Sequence, residues 1–290
     1  LLIFFPMLVA LWTVWFMPWA DIRRRLDIAA AALVSTVPVV PLLIGYHARQ
    51  AAYGFDRGVD EIKAMSATWS SIAGISHHAV LWRGWLPDTF YEASLFPGAA
   101  ILGLTIVGVI ASRSRVVVFY LVAAVFMWTL ALGPERGPYA LLLHVPGAQS
   151  IRVPARAWLV AALCLAVCAG FGAGWLARGT RTRWFIPPLA LLIVAEGWFA
   201  APVQRVPAAL PLYIAPGTMV LDLPIGAGYD NADSQSLAVM GDYRVVNGYS
   251  GYAPSHFLPL RTALADHRPE VFTPFRRRAD LYVVSRPGVD

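Results

Sequence analysis

Apolar positions in this chain come in long unbroken runs, not in the spaced stripes of a soluble domain. Six runs reach, or nearly reach, the roughly 20 helical residues that a bilayer core requires. They fall at roughly residues 1–20, 28–46, 97–112, 116–132, 154–177 and 184–201. The third and fourth are short and separated only by "SRSR", which predicts a tight helical hairpin. Pro38 and Pro41 predict a kink in the second. Pro187 and Pro188 fall in the first turn of the sixth, where proline is tolerated. After residue 201 the pattern shortens. "TMVLDLPIG" and "ADLYVVSR" read as strands, and "PSHFLPLRTALADH" reads as a helix capped by Ser255. "YRVVNGYSGY" carries a hairpin signal at Asn247–Gly248. The expected fold is an all-α membrane bundle of about six transmembrane helices over 1–201, with an extracytoplasmic loop at 47–96. A small extracytoplasmic α+β domain is expected at 202–290.

Composition agrees with a membrane protein. Of 290 residues, 58% are hydrophobic and 14% charged, against about 25% charged in soluble domains. Mean hydropathy is +0.59. The basic residues are 22 Arg and Lys63. The short connections "DIRRRLD", "SRSR" and "RGTRTR" carry net +1, +2 and +3, so the positive-inside rule puts them in the cytoplasm. The long loop is net −1, four basic against five acidic residues, and the tail balances eight against eight. The net charge of +6 therefore reports membrane orientation, and no nucleic-acid partner is expected. The expected arrangement is a multi-pass membrane protein with an extracytoplasmic tail. The chain opens at Leu1 directly in an apolar run, so a fragment lacking its N-terminal part is expected. Residues 1–20 lack the basic start and cleavage site of a signal peptide.

One connection breaks the alternation. Extended to Arg156, the segment after residue 132 holds Arg136, Arg152 and Arg156 against Glu135 alone, net +2 on the outer side. Its middle, "YALLLHVPGA", is apolar enough to dip into the membrane edge. Pro154 starts the fifth run between the two later arginines, where helix N–H groups and the macrodipole favour an anion. Two readings stand: the arginines bind a lipid phosphate, or they snorkel to headgroups or pair with Glu135.

In the long loop, Ile62, Met65, Trp69 and Ile72 share one helical face, with Asp60 and Glu61 in the first turn. That spacing predicts a short amphipathic helix on the outer leaflet. Trp82, Trp85, Phe90 and Tyr91 read as an interfacial aromatic belt. Asp56, Asp60 and Asp88 are candidates to face a substrate groove, with a solvated or capping role as the alternative. Glu196, inside the sixth run near its outer end, is a functional candidate by its position; it otherwise snorkels outward or pairs with Arg152 or Arg156. Adjacent His77 and His78 have no ligand spacing, and no metal site or other cofactor is expected. Cys164 and Cys168 read as small packing residues. "GYSGY" departs from the serine-hydrolase elbow because Tyr252 replaces its second glycine. Tyr249 and Tyr252 are candidates to stack on sugar rings, with core or surface packing as the alternative.

"YEASLFPGAAILGLTIVGVI", "LALGPERGPYALLLHVPGAQSIRVPARAWLVAALCLAVCAGFG" and "VVNGYSGYAPSHF" together resemble the C-terminal half of YfhO-like and other GT-C-type bacterial glycosyltransferases. The resemblance implies a polyprenyl-phosphate-linked sugar as donor, membrane lipids as surroundings, a location in the bacterial cytoplasmic (inner) membrane, and chemistry on its extracytoplasmic face. It places the catalytic acidic loop upstream of Leu1, so the catalytic residues of this chain are unknown. With such a donor, its phosphate is expected at Arg152, Arg156 and Arg136, the arginines of the connection that breaks the charge alternation. A transporter or flippase is the competing class, although no inverted repeat is visible. A non-catalytic membrane scaffold is the third.

Overall fold

The computed structural model describes residues 4–53, 58–144, 151–200, 203, 213–226, 231–248 and 256–285. The chain divides into two compact units, residues 1–41 with 56–202 and residues 42–55 with 203–290.

The first unit is helical. Helices α1 (Phe4–Phe16), α2 (Ile22–Thr36) and α3 (Val40–Tyr53) follow one another, the last running into the second unit. After α4 (Val59–Ala64) comes a two-stranded parallel pair, β1 (Ile75–Ser76) and β2 (Asp88–Thr89). Helices α5 (Ala99–Ser112), α6 (Arg115–Ala131) and α9 (Ala157–Arg178) form the centre. The one-turn helices α7 (Gly133–Arg136) and α8 (Tyr139–Leu142) lie between α6 and α9, and α10 (Ile186–Glu196) follows. The core joins Phe4 and Leu8 of α1, Phe119, Ala123 and Met127 of α6, and Val160, Ala161 and Cys164 of α9. Ile62, Leu95 and Tyr139 close it from the connections.

Glycines set the closest helix contact. A side chain at Gly108 of α5 would strike the Cys168 carbonyl of α9, and one at Gly172 would strike the Leu104 carbonyl. Such small-residue crossings let backbones meet. Thr105 Oγ1 donates to the Leu165 carbonyl at 3.2 Å, and Cys168 Sγ to the Val117 carbonyl at 3.7 Å.

The six expected spans are not what the chain forms. Among the described residues, one helix, Pro154–Arg178, is long and apolar enough to cross a membrane. A second would count only if α2 and the helix over Val40–Ala52, bent by 47° at their junction, make one broken span. The other apolar helices stop short: α1 has 13 residues, α5 has 14 and α6 has 17. At 1.5 Å per residue α5 is about 21 Å long, against a core of about 30 Å. Local chemistry ends them. Gly98, with φ 96°, precedes α5, and Arg113, with φ 44°, stops it. Ser114 caps α6 by accepting from Val117 N at 3.2 Å, and Gly133, with φ 73°, turns the chain beyond it. The 3-10 turn Thr182–Phe185 holds part of the sixth run outside α10, which has 11 residues. Hydropathy counts these apolar turn residues as helix.

The amphipathic leaflet helix is also corrected. Helix α4 ends before Met65, and a 3-10 turn covers Trp69–Ala73. Ser66 Oγ donates back to the Ile62 carbonyl at 2.7 Å, and Thr68 N donates to Ser71 Oγ at 2.9 Å. These local bonds compete with continued helix. Ile62 is fully buried in the core, while Trp69 is exposed.

The second unit is a small parallel α/β sheet. Strands β3 (Met219–Leu223), β4 (Arg244–Val245) and β5 (Leu281–Ser285) lie in the order β4-β3-β5, all parallel. Helix α11 (Ala232–Gly241) connects β3 to β4, and α12 (Phe257–Ala265) lies between β4 and β5. Val245 pairs with Val220 of β3, and the second arm of the hairpin expected at Asn247–Gly248 lies outside the described residues. Asn247 is fully buried. Its Oδ1 accepts from Asp222 N at 2.9 Å, and its Nδ2 donates to Asn231 Oδ1 at 3.2 Å. A buried amide with these partners stabilises the strand ends as no exposed turn residue would. Ser255, the expected cap of α12, lies outside the described residues.

Candidate functional site

Residues 58–98, 132–144 and 151–156 come together at one end of the α5, α6 and α9 cluster. The Ala67 N–H donates to the last carbonyl of α6, at Ala131, at 2.9 Å. Four glutamates tie the connections down. Glu196, the last residue of α10, accepts from Ala99 N at 2.8 Å and Ala100 N at 3.1 Å, the first two amides of α5. These amides have no partner within their own helix, and the helix dipole adds to the attraction. Glu92 takes the Arg156 guanidinium side-on, at 2.6 Å from Nη2 and 3.2 Å from Nε. Arg152 Nε lies 2.8 Å from Glu61 Oε1, an ion pair at an angle outside that of a hydrogen bond. Glu135 is shared between Lys63 Nζ at 3.4 Å and Arg136 Nη1 at 3.5 Å.

Around that shared carboxylate lies a polar pocket of about 500 Å3. Lys63, Glu135 and Arg136 supply its charge. Ser66, Thr68, Ser71 and Thr89 supply hydroxyls, and Phe90 an apolar wall. Lys63 also approaches Asp60 at 3.6 Å. The lysine side chain is 38% exposed and Glu135 46%. Loose, solvated pairs of this kind contribute about 0–1 kcal/mol each, so the two cations can turn to a bound anion at little cost. The bidentate Arg156–Glu92 pair is tighter and already satisfied.

Each sequence candidate has a definite place. Arg136 lines the pocket; Arg152 and Arg156 are not in its lining and hold Glu61 and Glu92 instead. Asp60 is 98% exposed and serves Lys63. Asp88 lies in β2, exposed, opposite Ile75. Glu196 binds the start of α5 and not an arginine. Asp56, Tyr249 and Tyr252 lie outside the described residues. In the aromatic segment Trp82 packs edge-on against Phe96 at 5.6 Å, while Trp85 is 83% exposed. The His77 and His78 rings are 3.9 Å apart. Among the described residues no group of three or more His, Cys, Asp or Glu could hold a metal.

Sequence reasoning passed over Lys63 and the hydroxyls at 66, 68, 71 and 89. The signal was present in "KAMSATWSS", where the lysine precedes four hydroxyl residues. Tyr139, beneath the same region, is fully buried and donates to the Ile151 carbonyl at 3.3 Å. Burial pushes its phenol from 10.0 up to about 12.

Comparison with family models, with curated proteins and with solved structures finds no match for the chain.

Proposed function

We propose that the helical unit works in a lipid bilayer as part of an enzyme that transfers sugar from a polyprenyl-phosphate donor. The Lys63–Arg136 pocket receives the donor phosphate. The observation that carries the reading is this pocket: two cations on one shared carboxylate, four hydroxyls, and a position at the end of an apolar helix cluster. Cations and hydroxyls neutralise and orient a phosphate leaving group. The outward surface supports a lipid setting. Val118, Val122 and Val125 make an exposed stripe on α6, with Ile106 and Ile110 on α5 and Leu159, Leu163 and Trp175 on α9. Contiguous apolar surface of this extent marks membrane or protein contact. The arginine-rich connections at the opposite end support a cytoplasmic side there and an extracytoplasmic pocket end, and the membrane proposed is the bacterial cytoplasmic one.

A non-catalytic scaffold is the second reading. The tight pairing of Arg156 with Glu92 favours it, because a satisfied arginine is a brace, not a ligand. Binding separates the two. The purified chain in lipid discs is titrated with a short-chain polyprenyl phosphate. Lys63→Ala and Arg136→Ala should each weaken binding about tenfold, the loss of one charge-assisted hydrogen bond. Absence of binding by the unaltered chain, or identical affinity in both variants, favours the scaffold.

A further inference from the structure

The parallel-sheet unit holds a separate cavity of about 740 Å3 that the proposed function does not use. Its floor is the sheet, through Met219 of β3 and Val245 and Val246 at the end of β4. Helix α12 forms one wall with Leu260 and Ala263. The 3-10 turn Pro269–Phe275 forms the other with Val271 and Phe275. Of these seven side chains only Leu260 is buried and the other six are half-buried, so they keep apolar surface to offer.

The mouth is charged. Among the described residues, Arg268, Arg278 and His256 line it with one acid, Glu270. Arg268 reaches Asp266 at 3.2 Å and Arg278 reaches Asp280 at 3.9 Å. All four side chains are about half exposed or more, so these pairs hold the guanidiniums weakly. Residues 256–280 carry five arginines (261, 268, 276, 277 and 278) against Asp266, Glu270 and Asp280, a net of +2. An apolar chamber of this size with a few polar groups at one end is the ordinary form of a small-molecule site.

We infer that this cavity binds a single-chain amphiphile with an anionic head, an acyl carboxylate or an alkyl phosphate. The chain lies against Leu260, Val271 and Phe275, and the head meets Arg268 and Arg278. The apolar lining excludes a free small anion as the natural occupant, and the basic mouth discriminates against an uncharged alcohol of equal length. Arginine suits either head because its fork matches carboxylate and phosphate alike.

The test uses the full chain in discs of zwitterionic phosphatidylcholine and a decanoate carrying a terminal diazirine. After photolysis, labelled peptides are mapped by mass spectrometry. Saturable labelling is expected within residues 256–278. Decanoate and decyl phosphate should suppress it at concentrations about tenfold below decanol, the worth of one charge-assisted contact. Inorganic phosphate should not suppress it. Ala263→Trp should fill the chamber and remove the label. Arg268→Ala with Arg278→Ala, both on the surface, should keep the fold and erase the preference for the anion. Unsaturable labelling, labelling outside residues 256–278, equal competition by decanol, or competition by inorganic phosphate overturns the inference. So does unchanged anion preference in the double-arginine variant, which remains readable even if Ala263→Trp fails to fold. The result is independent of the Lys63–Arg136 pocket, whose own titration uses a different ligand and different variants.

Discussion

Glu196 Oε1 accepts a hydrogen bond from the Ala99 backbone N–H at 2.8 Å, across 97 positions of sequence. A carboxylate from the end of one helix thus caps the start of another. Gly98, at φ 96°, leaves no room for a side chain beside it: a Cβ there would meet Glu196 Oε2 at 2.7 Å. Helix caps are worth about 0.5–2 kcal/mol. Glu196→Ala should lower unfolding free energy by about 1–2 kcal/mol; Glu196→Gln should also cost stability, since its one amide oxygen can accept from only one of the two N–H groups and its NH2 faces the other. Denaturant unfolding in a mild detergent reads both. Unchanged stability in Glu196→Ala would refute the cap.

The α5–α9 crossing predicts a larger effect. Gly172→Val places a side chain against the Leu104 carbonyl of α5, a backbone atom that cannot rotate away. Overpacking of this kind costs about 1–3 kcal/mol. Gly170→Val is the control, since nothing lies within 4 Å of a Cβ built there. The same unfolding measurement should separate the two variants, and indistinguishable stabilities would refute the close crossing.

Tyr139 gives a pH dependence. Its phenol ionises near 10.0 when exposed and near 12 in the fold. Below pH 10 both states are neutral and its stabilisation is fully present. As pH rises from 10 through 12 the unfolded state ionises first, so stability falls. Tyr139→Phe should make that alkaline fall shallower, and at neutral pH should cost about 0.5–1.5 kcal/mol for the bond to Ile151. Stability measured from pH 7 to 12 checks both, and an unaltered alkaline slope in the variant would count against the buried phenol.

The Arg156–Glu92 pair makes a third kind of prediction. A double-mutant cycle with Arg156→Ala and Glu92→Ala should give a coupling of up to about 1 kcal/mol, the top of the range for a half-exposed pair. If Arg156 instead held a lipid phosphate, Arg156→Ala would weaken polyprenyl-phosphate binding while the coupling stayed near zero.

Some of this was legible in the sequence and some was not. Helix α9 was, because Pro154 and Arg178 bracket an apolar run long enough to need no other support. The α5–α6 turn was also legible, although its αL residue, Arg113, is not one that pattern reading would choose. Helix lengths were not, because Gly98, Ser114 and Gly133 act through dihedral angle and capping, which hydropathy does not sense. The buried role of Asn247 was not legible either, because its partners Asp222 and Asn231 lie 25 and 16 positions away. At the candidate site, Arg136 was found by its excess charge. The partners of Glu196 and Arg156 were invisible because they lie 97 and 64 positions away. Such pairings are set by packing, not by local spacing.

The account depends most on the surroundings of α5, α6 and α9. With Cys164 and Cys168 replaced by alanine, single cysteines at Val122 on the exposed stripe and at Thr68 in the polar pocket are labelled with bimane in lipid discs. Lipids brominated along their acyl chains then quench by contact. Strong quenching at 122 and little at 68 is the predicted result. An unquenched label at 122 would place the apolar surface against protein or water, and the membrane reading would fall with it.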